Sequence, residues 1–343
     1  MTRRGGSTGT RGHRQGTGRA AGVLLMLGSG LSNQTGAAVA ALAFPALGPA
    51  GVVAVRQWVA ALVLLAVARP RPRALTARQW GPVLALAAVF ATMNLSLYAA
   101  IARIGLGLAV TLEFLGPLSV ALLSSRRRTD ALCAVCAGAA VVVLTRPRPG
   151  GDGWGIALGL LAAGCWAGYI LLNRTVGRRV PGAEGSAAAA AVSAVLYLPV
   201  GAVVLAQRTP SAGVLGCAVA AGVLSSAVPF LADLLALRRV PAAFFGLFMS
   251  VNPVYAALVG WAALGQRPAP VEWCAIAAIA AANTLSVAAA ARRARPARQP
   301  DPAGPGPSGV TARPAGYAVG DSRTHDGGHR SRGSHHRHDS GGA

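Results

Sequence analysis

The feature that most limits this chain lies between Arg19 and Arg292, where long apolar runs follow one another with only short connections. The hydrocarbon core of a bilayer is about 30 Å thick, so a spanning helix needs about 20 apolar residues. Ten runs meet that length, at roughly 20–44, 51–68, 80–102, 105–125, 129–145, 154–173, 184–206, 213–236, 241–264 and 271–291. The expected fold is therefore all-α, a polytopic membrane protein of ten transmembrane helices. Composition agrees: 53% of the residues are hydrophobic and 12% charged, about half the charged share of a soluble domain. There is no Gly-X-Y period, and five cysteines in apolar settings do not make a disulfide framework.

The formal charge is +22, carried by arginine without a single lysine. A balance this basic can mark nucleic-acid binding, but the arginines cluster between the apolar runs and in two polar tails. Cytoplasmic loops carry the excess of Arg and Lys. With the N-terminus inside, the inside segments hold 21 arginines and the outside loops 5. That ratio predicts ten spans with both termini cytoplasmic, with the bilayer as partner and no nucleic acid. No cleaved targeting peptide is expected, because the first run is too long for a signal-peptide core. Residues 1–19 and 292–343 read as disordered tails that cannot bury a core. The tail histidines His325, His329, His335, His336 and His338 allow weak metal binding, and a solvated low-complexity segment is the preferred reading.

The two halves match at an offset of 136 residues: Ala100, Arg103 and Pro117 meet Ala236, Arg239 and Pro253. This divides the chain into repeats at 20–145 and 154–291. Five spans is an odd number, so the second repeat enters the membrane upside down relative to the first. Inverted repeats of this kind build secondary transporters with a midplane site between the halves. Pro117 and Pro253 each remove a helical hydrogen bond and are expected to kink spans 4 and 9, either toward a cavity or as packing kinks.

Ionisable groups inside a membrane are costly and tend to face a cavity or a partner. Glu113 lies about 12 Å into span 4 at 1.5 Å per residue. It is the only carboxylate read at that depth, and it serves either as a proton carrier or as a structural carboxyl. Arg56 is expected to snorkel to the outer interface, with pairing to Glu113 as the alternative. Asp233 is read as an interfacial ion pair with Arg238. Gln34, Asn94, Tyr98, Trp166, Tyr169, Asn252 and Tyr255 are candidate substrate-binding residues, with Asn33 and Asn173 beside them. Amides supply donors and acceptors, and aromatics wall an apolar pocket. Each alone also fits an interhelical hydrogen bond or an interface anchor.

Other motifs point away from chemistry. Cys133 and Cys136 have CxxC spacing inside an apolar run and read as buried thiols. Gly155, Gly159, Gly164 and Gly168 read as close helix packing. There is no Ser-His-Asp set, HExxH or Walker motif, so no enzyme, cofactor or resident metal is expected.

Ten spans, a five-plus-five repeat and prolines in spans 4 and 9 resemble the EamA branch of the drug/metabolite transporter superfamily. Within it, the segment from Met93 to Arg127, centred on Glu113-Phe114-Leu115-Gly116-Pro117, is similar to threonine/homoserine exporters of the RhtA type. So are Gln34 to Ala38 with Phe44-Pro45, Cys165-Trp166 with Tyr169 to Leu171, and Phe245-Gly246 with Met249-Ser250. The resemblance implies an inner-membrane exporter of small amino acids or related metabolites, driven by proton antiport through alternating access. It places Gln34, Asn94, Tyr98 and Glu113 at matching positions. Three positions depart from the family: Asn252 replaces a frequent acidic residue, Gly265-Gln266 a frequent Gly-Glu, and Ala41 a frequent basic residue. A different cargo in the same fold (a drug, a cationic metabolite or a sugar derivative) is the second reading. A non-transporting membrane scaffold or sensor is the third.

Overall fold

The computed structural model describes residues 9–69, 75–123, 128–145, 152–180, 184–237 and 248–293. Among them every regular element is a helix, and no strand occurs. The tail histidines, Arg238, Arg239, Phe245-Gly246 and the first residues of the ninth apolar run lie outside the described residues.

In chain order the helices are α1 (Gly9–Leu42), α2 (Phe44–Ala68), α3 (Ala77–Ile104), α4 (Leu106–Glu113), α5 (Leu115–Leu123), α6 (Arg128–Thr145) and α7 (Gly153–Arg179). Next come α8 (Glu184–Leu196), α9 (Leu198–Arg208), α10 (Ala212–Gly222), a π-helical turn (Val223–Ala227), α11 (Val228–Leu237), α12 (Asn252–Leu264) and α13 (Pro270–Arg293). Six stretches are long and apolar enough to cross a bilayer: Phe44–Ala68, Ala77–Ile104, Leu106–Leu123, Gly153–Arg179, Ala212–Asp233 and Pro270–Ala288. The pair α8 and α9, bent by 40°, makes a seventh if it is one span. Large apolar side chains such as Leu62, Leu123, Trp154 and Leu285 face outward, as a lipid-facing surface requires.

Local chemistry explains the breaks. Pro45 stands in the first turn of α2, where a missing N–H is not needed. Gly48, at φ 68°, bends α2 ahead of Pro49, using a left-handed conformation that glycine adopts without a Cβ clash. The fourth apolar run is interrupted at Phe114, between α4 and α5. Pro117 has no N–H to return to the Glu113 carbonyl four residues back, and the next carbonyl, that of Phe114, accepts from the Asn283 amide of α13 at 3.4 Å and from the Leu118 N–H at 3.5 Å. Pro253 stands in the first turn of α12, after a turn at Ser250 and Val251.

The helix ends are capped. The Gln79 side chain accepts the Thr76 N–H at 2.8 Å and donates to the Arg179 carbonyl at 2.7 Å, tying the start of α3 to the end of α7. At the other end of that pair, Asp152 caps α7 by accepting the Gly155 N–H at 2.9 Å, and it pairs with Arg103 at 2.8 Å. A carboxylate at a helix start and a cation at a helix end both suit the helix dipole. The Gly155 N–H, and after it the Arg103 guanidinium, hold the Asp152 carboxyl below the usual aspartate range.

The helices pack in pairs: α3 on α7, α1 on α10 and α11, α2 on α8 and α9, and α6 on α13. Small residues set the closest approaches. A Cβ on Gly116 would strike the Ala163 carbonyl of α7, and one on Gly159 would lie 2.9 Å from the Leu112 side chain. A Cβ on Gly155 would lie 2.5 Å from the Ile104 side chain, whereas nothing lies within 4 Å of a Cβ at Gly164. The glycine spacing on α7 thus serves close packing in its first half only. Cys133 is buried and Cys136 exposed, so only the first of the CxxC pair is the buried thiol expected.

Candidate functional site

A cavity of about 330 Å³ lies between the helices. Its walls come from α1, α2, α3, α4, α7, the π turn, α11 and α12, with Phe114 and Met249 from the connections. Of Glu113 and the seven candidate substrate-binding residues, seven line it: Gln34, Asn94, Tyr98, Glu113, Trp166, Tyr169 and Asn252; so do Asn33, Arg56 and Asp233. Tyr255 does not. It stands behind the wall, where its ring and the Asn252 amide oxygen would each lie 3.2 Å from a Cβ on Gly30. A glycine at that point lets α1 and α12 approach.

The amides are largely occupied by one another. Gln34 Nε2 donates to Asn252 Oδ1 at 3.3 Å, joining α1 to α12. Asn252 Nδ2 donates to the Met249 carbonyl at 2.9 Å. Asn94 Nδ2 donates to the Phe90 carbonyl at 2.8 Å, while its oxygen accepts from Arg56 Nη1. Buried amides satisfied in this way fix the geometry of a site. The aromatic wall is interlocked as well: Phe114 meets Trp166 edge-on at 4.6 Å, and Phe90 lies 6.0 Å from Tyr169.

Glu113 is 6% exposed and accepts no hydrogen bond and makes no ion pair among the described residues. Its carboxyl is thus held in the cavity without a hydrogen-bond donor, though the Arg56 guanidinium in the same cavity acts on it electrostatically. A group so placed can exchange a proton with whatever enters.

Three expectations change. Arg56 does not snorkel outward. Its guanidinium is bound by Asn94 and lies 5.0 Å from the centre of the Tyr98 ring, inside the cavity. The apolar stem permits snorkelling, but an amide and an aromatic face on α3 offer the charge a better solvent. Glu113 is not the only carboxylate at this depth, because Asp233 also lines the cavity and accepts a hydrogen bond from Ser29. Its supposed partner Arg238 lies outside the described residues. Third, Asn173 points elsewhere. With Arg174 and Ser186 it lines a second cavity of about 570 Å³ between α7 and α8, where its oxygen accepts from Ser186 at 3.2 Å. Tyr169 borders both cavities.

Sequence reading passed over Ser29, Ser225, Met93, Pro229 and Met249, which also line the first cavity. The offset of 136 leads from Glu113 to Met249, and it relates five pairs of lining residues. Gly30 and Trp166, Asn33 and Tyr169, Met93 and Pro229, Leu97 and Asp233, and Glu113 and Met249 are partners at that spacing, and all line the same cavity. The π turn carries no sequence signature. It widens the helix where Ser225 donates to the Asn33 carbonyl at 3.2 Å and Ser32 donates to the Leu224 carbonyl at 2.8 Å, and such turns recur at functional sites.

Comparison with known proteins bears on the whole helical region. Residues 153–288 match the EamA-like transporter family. The chain is 35% identical over 264 residues to a protein of Salmonella typhimurium (strain LT2) named threonine/homoserine exporter RhtA, covering 76% of this chain and 89% of that one. It is likewise 35% identical over 274 residues to the protein of that name from Escherichia coli K12, covering 77% and 92%. A crystal structure superposes with a TM-score of 0.54 at 20% identity, covering 81% of this chain and all of the other, which shows a shared fold.

Proposed function

This chain belongs to the EamA-like transporter family, and we propose that it exports small amino acids of the threonine and homoserine kind, or closely related metabolites, by proton antiport. The observation that carries the reading is the central cavity, with the unpaired carboxyl of Glu113 set among fixed amides and aromatic walls. Glu113 carries the proton. Gln34, Asn94, Tyr98, Trp166, Tyr169 and Asn252 shape the cargo site, and Tyr255 supports it from behind. The names of the relatives in Salmonella typhimurium and Escherichia coli supply the cargo class.

The mechanism is alternating access between two inverted five-helix repeats, 20–145 and 154–291, making ten spans with both termini in the cytoplasm. Several observations support it. The same 136-residue spacing separates Gln57 from Ser193 and Trp58 from Ala194, and both pairs are hydrogen-bonded. Contacts between equivalent positions are what an axis relating two halves produces. The pairing of α3 with α7 repeats as that of α10 and α11 with α1, their counterparts at the same spacing. The break at Phe114 recurs as the turn at Ser250. A cavity lined by five pairs of equivalent residues then lies on the axis, where rocking of one half against the other exposes it to each side in turn. Pro117 and Pro253, next to these breaks, provide the bends.

A different cargo is favoured by one observation, the amide of Asn252 where a carboxylate is frequent in the family. Gln266 does not add to it: its oxygen accepts the Leu106 N–H at 3.0 Å, a capping role that an amide fills.

Inside-out vesicles test the proposal. Labelled threonine and homoserine are expected to accumulate when the lumen is acid, with competition by other small amino acids. Folded, inserted protein that takes up no amino acid under that gradient contradicts the cargo and moves the reading to another solute.

A further inference from the structure

We propose that the central cavity is built for a zwitterion, with Arg56 receiving its carboxylate and Asp233 its ammonium group. The inference rests on the transport reading above and names two binding residues for it.

Four buried side-chain polar atoms have no hydrogen-bond partner among the described residues: Arg56 Nε, the Tyr98 hydroxyl, Asp233 Oδ1 and Ser286 Oγ. A native fold rarely leaves such groups unsatisfied, and each one calls for an explanation. The first three belong to side chains that line one cavity. Each atom is shielded from solvent in this conformation.

The charges are opposite, yet they do not pair with each other; the ion pair among the described residues is Arg103–Asp152, elsewhere. Arg56 is held on α2 by Asn94 and the Tyr98 ring. Asp233 is held on α11 by Ser29. Opposite charges kept apart in a cavity with aromatic walls are completed by a molecule that carries both signs. Neither charge is a by-product of the repeat, because the partner of Arg56 at the 136-residue spacing is Val192 and that of Asp233 is Leu97. The two residues also belong to different halves, so a bound zwitterion ties together the parts whose relative motion moves it.

The test uses the full-length protein in lipid nanodiscs and reads ligand-induced thermal stabilisation, which grows with ligand concentration over Kd. Three probes share a carbon skeleton and differ in their charged groups: threonine has both, threoninamide only the ammonium, and 3-hydroxybutyrate only the carboxylate. The native protein is expected to prefer threonine over either analogue by about tenfold or more, the effect of leaving one buried charge unpaired. Asp233→Asn should erase the preference over 3-hydroxybutyrate and keep that over threoninamide. Arg56→Gln should do the reverse, and Arg56→Lys, which retains the charge, should keep part of the preference over threoninamide even if the glutamine variant does not fold. Binding of none of the probes, equal binding of all three, or an unchanged pattern in Asp233→Asn overturns the inference. Native protein that selects threonine here but moves no amino acid across a membrane would refute export and leave the zwitterion site standing.

Discussion

Arg56 and Gln57 are neighbours on one helix, and they enter two different worlds. Gln57 faces the seam between α2 and α8, where its amide donates to the Ser193 hydroxyl at 2.7 Å and both side chains are almost fully buried. The same seam pairs Trp58 with the Ala194 carbonyl, and Tyr197 reaches the Ala91 carbonyl at 2.8 Å. Arg56 faces the cavity, where its Nε, the Tyr98 hydroxyl and one oxygen of Asp233 are unpartnered. Among the described residues the polar groups of this seam are satisfied within the protein, whereas around the cavity three buried atoms are not, beside the paired amides of Gln34, Asn94 and Asn252. Burial alone does not distinguish these two sets of polar groups; the state of their hydrogen bonds does.

Breaking the seam should have the largest effect on stability. Gln57→Leu leaves the buried Ser193 hydroxyl without its donor and is expected to cost about 1–3 kcal/mol. The cost reads out as a lower unfolding midpoint, while the KM for cargo in the surviving protein stays at its native value. A changed KM with an unchanged midpoint would reverse the two roles.

Tyr98→Phe sharpens the contrast from the cavity side. It removes a hydroxyl that has no partner, so stability should stay within about 0.5 kcal/mol or rise. Affinity for cargo should fall several-fold, as measured by competition in the flux assay. A large loss of stability would mean that the hydroxyl is satisfied in the working protein.

The smallest effect belongs to the exposed link at the helix ends. Asp152→Asn keeps a residue suited to the cap and loses only the pairing with Arg103, so flux should hardly change. The Asp152 carboxyl is held below its usual range, so its contribution is present above the unfolded aspartate value of about 4. That contribution fades as pH falls through the lower folded value. Thermal melts of native and variant protein should therefore differ slightly at neutral pH and converge in strong acid.

The helices were legible because membrane thickness fixes the length of an apolar run. The third run, read at 80–102, becomes Ala77–Ile104, and the sixth, read at 154–173, becomes Gly153–Arg179. Interruptions were less so. The run at 184–206 breaks at Tyr197, and the available signal was Pro199, which stands in the first turn of α9. Glu113 stood out because a lone carboxylate deep in an apolar run is costly. Asp233 reads from sequence as an interfacial ion pair because an arginine five residues away offers a simpler partner. Side-chain direction was the real gap. Hydropathy averages around the helix, so it places Arg56 at a depth without showing that Asn94 and Tyr98 of α3 turn it inward.

The most direct measurement compares native protein with Glu113→Gln in inside-out vesicles, following labelled threonine with and without an acid lumen. Glutamine keeps the size and polarity of the side chain but cannot release a proton. The native protein should accumulate threonine faster under the gradient, and the variant, inserted and folded to the same level, should show no acceleration. A variant that retains full gradient dependence would remove Glu113 from the coupling and contradict the account at its centre.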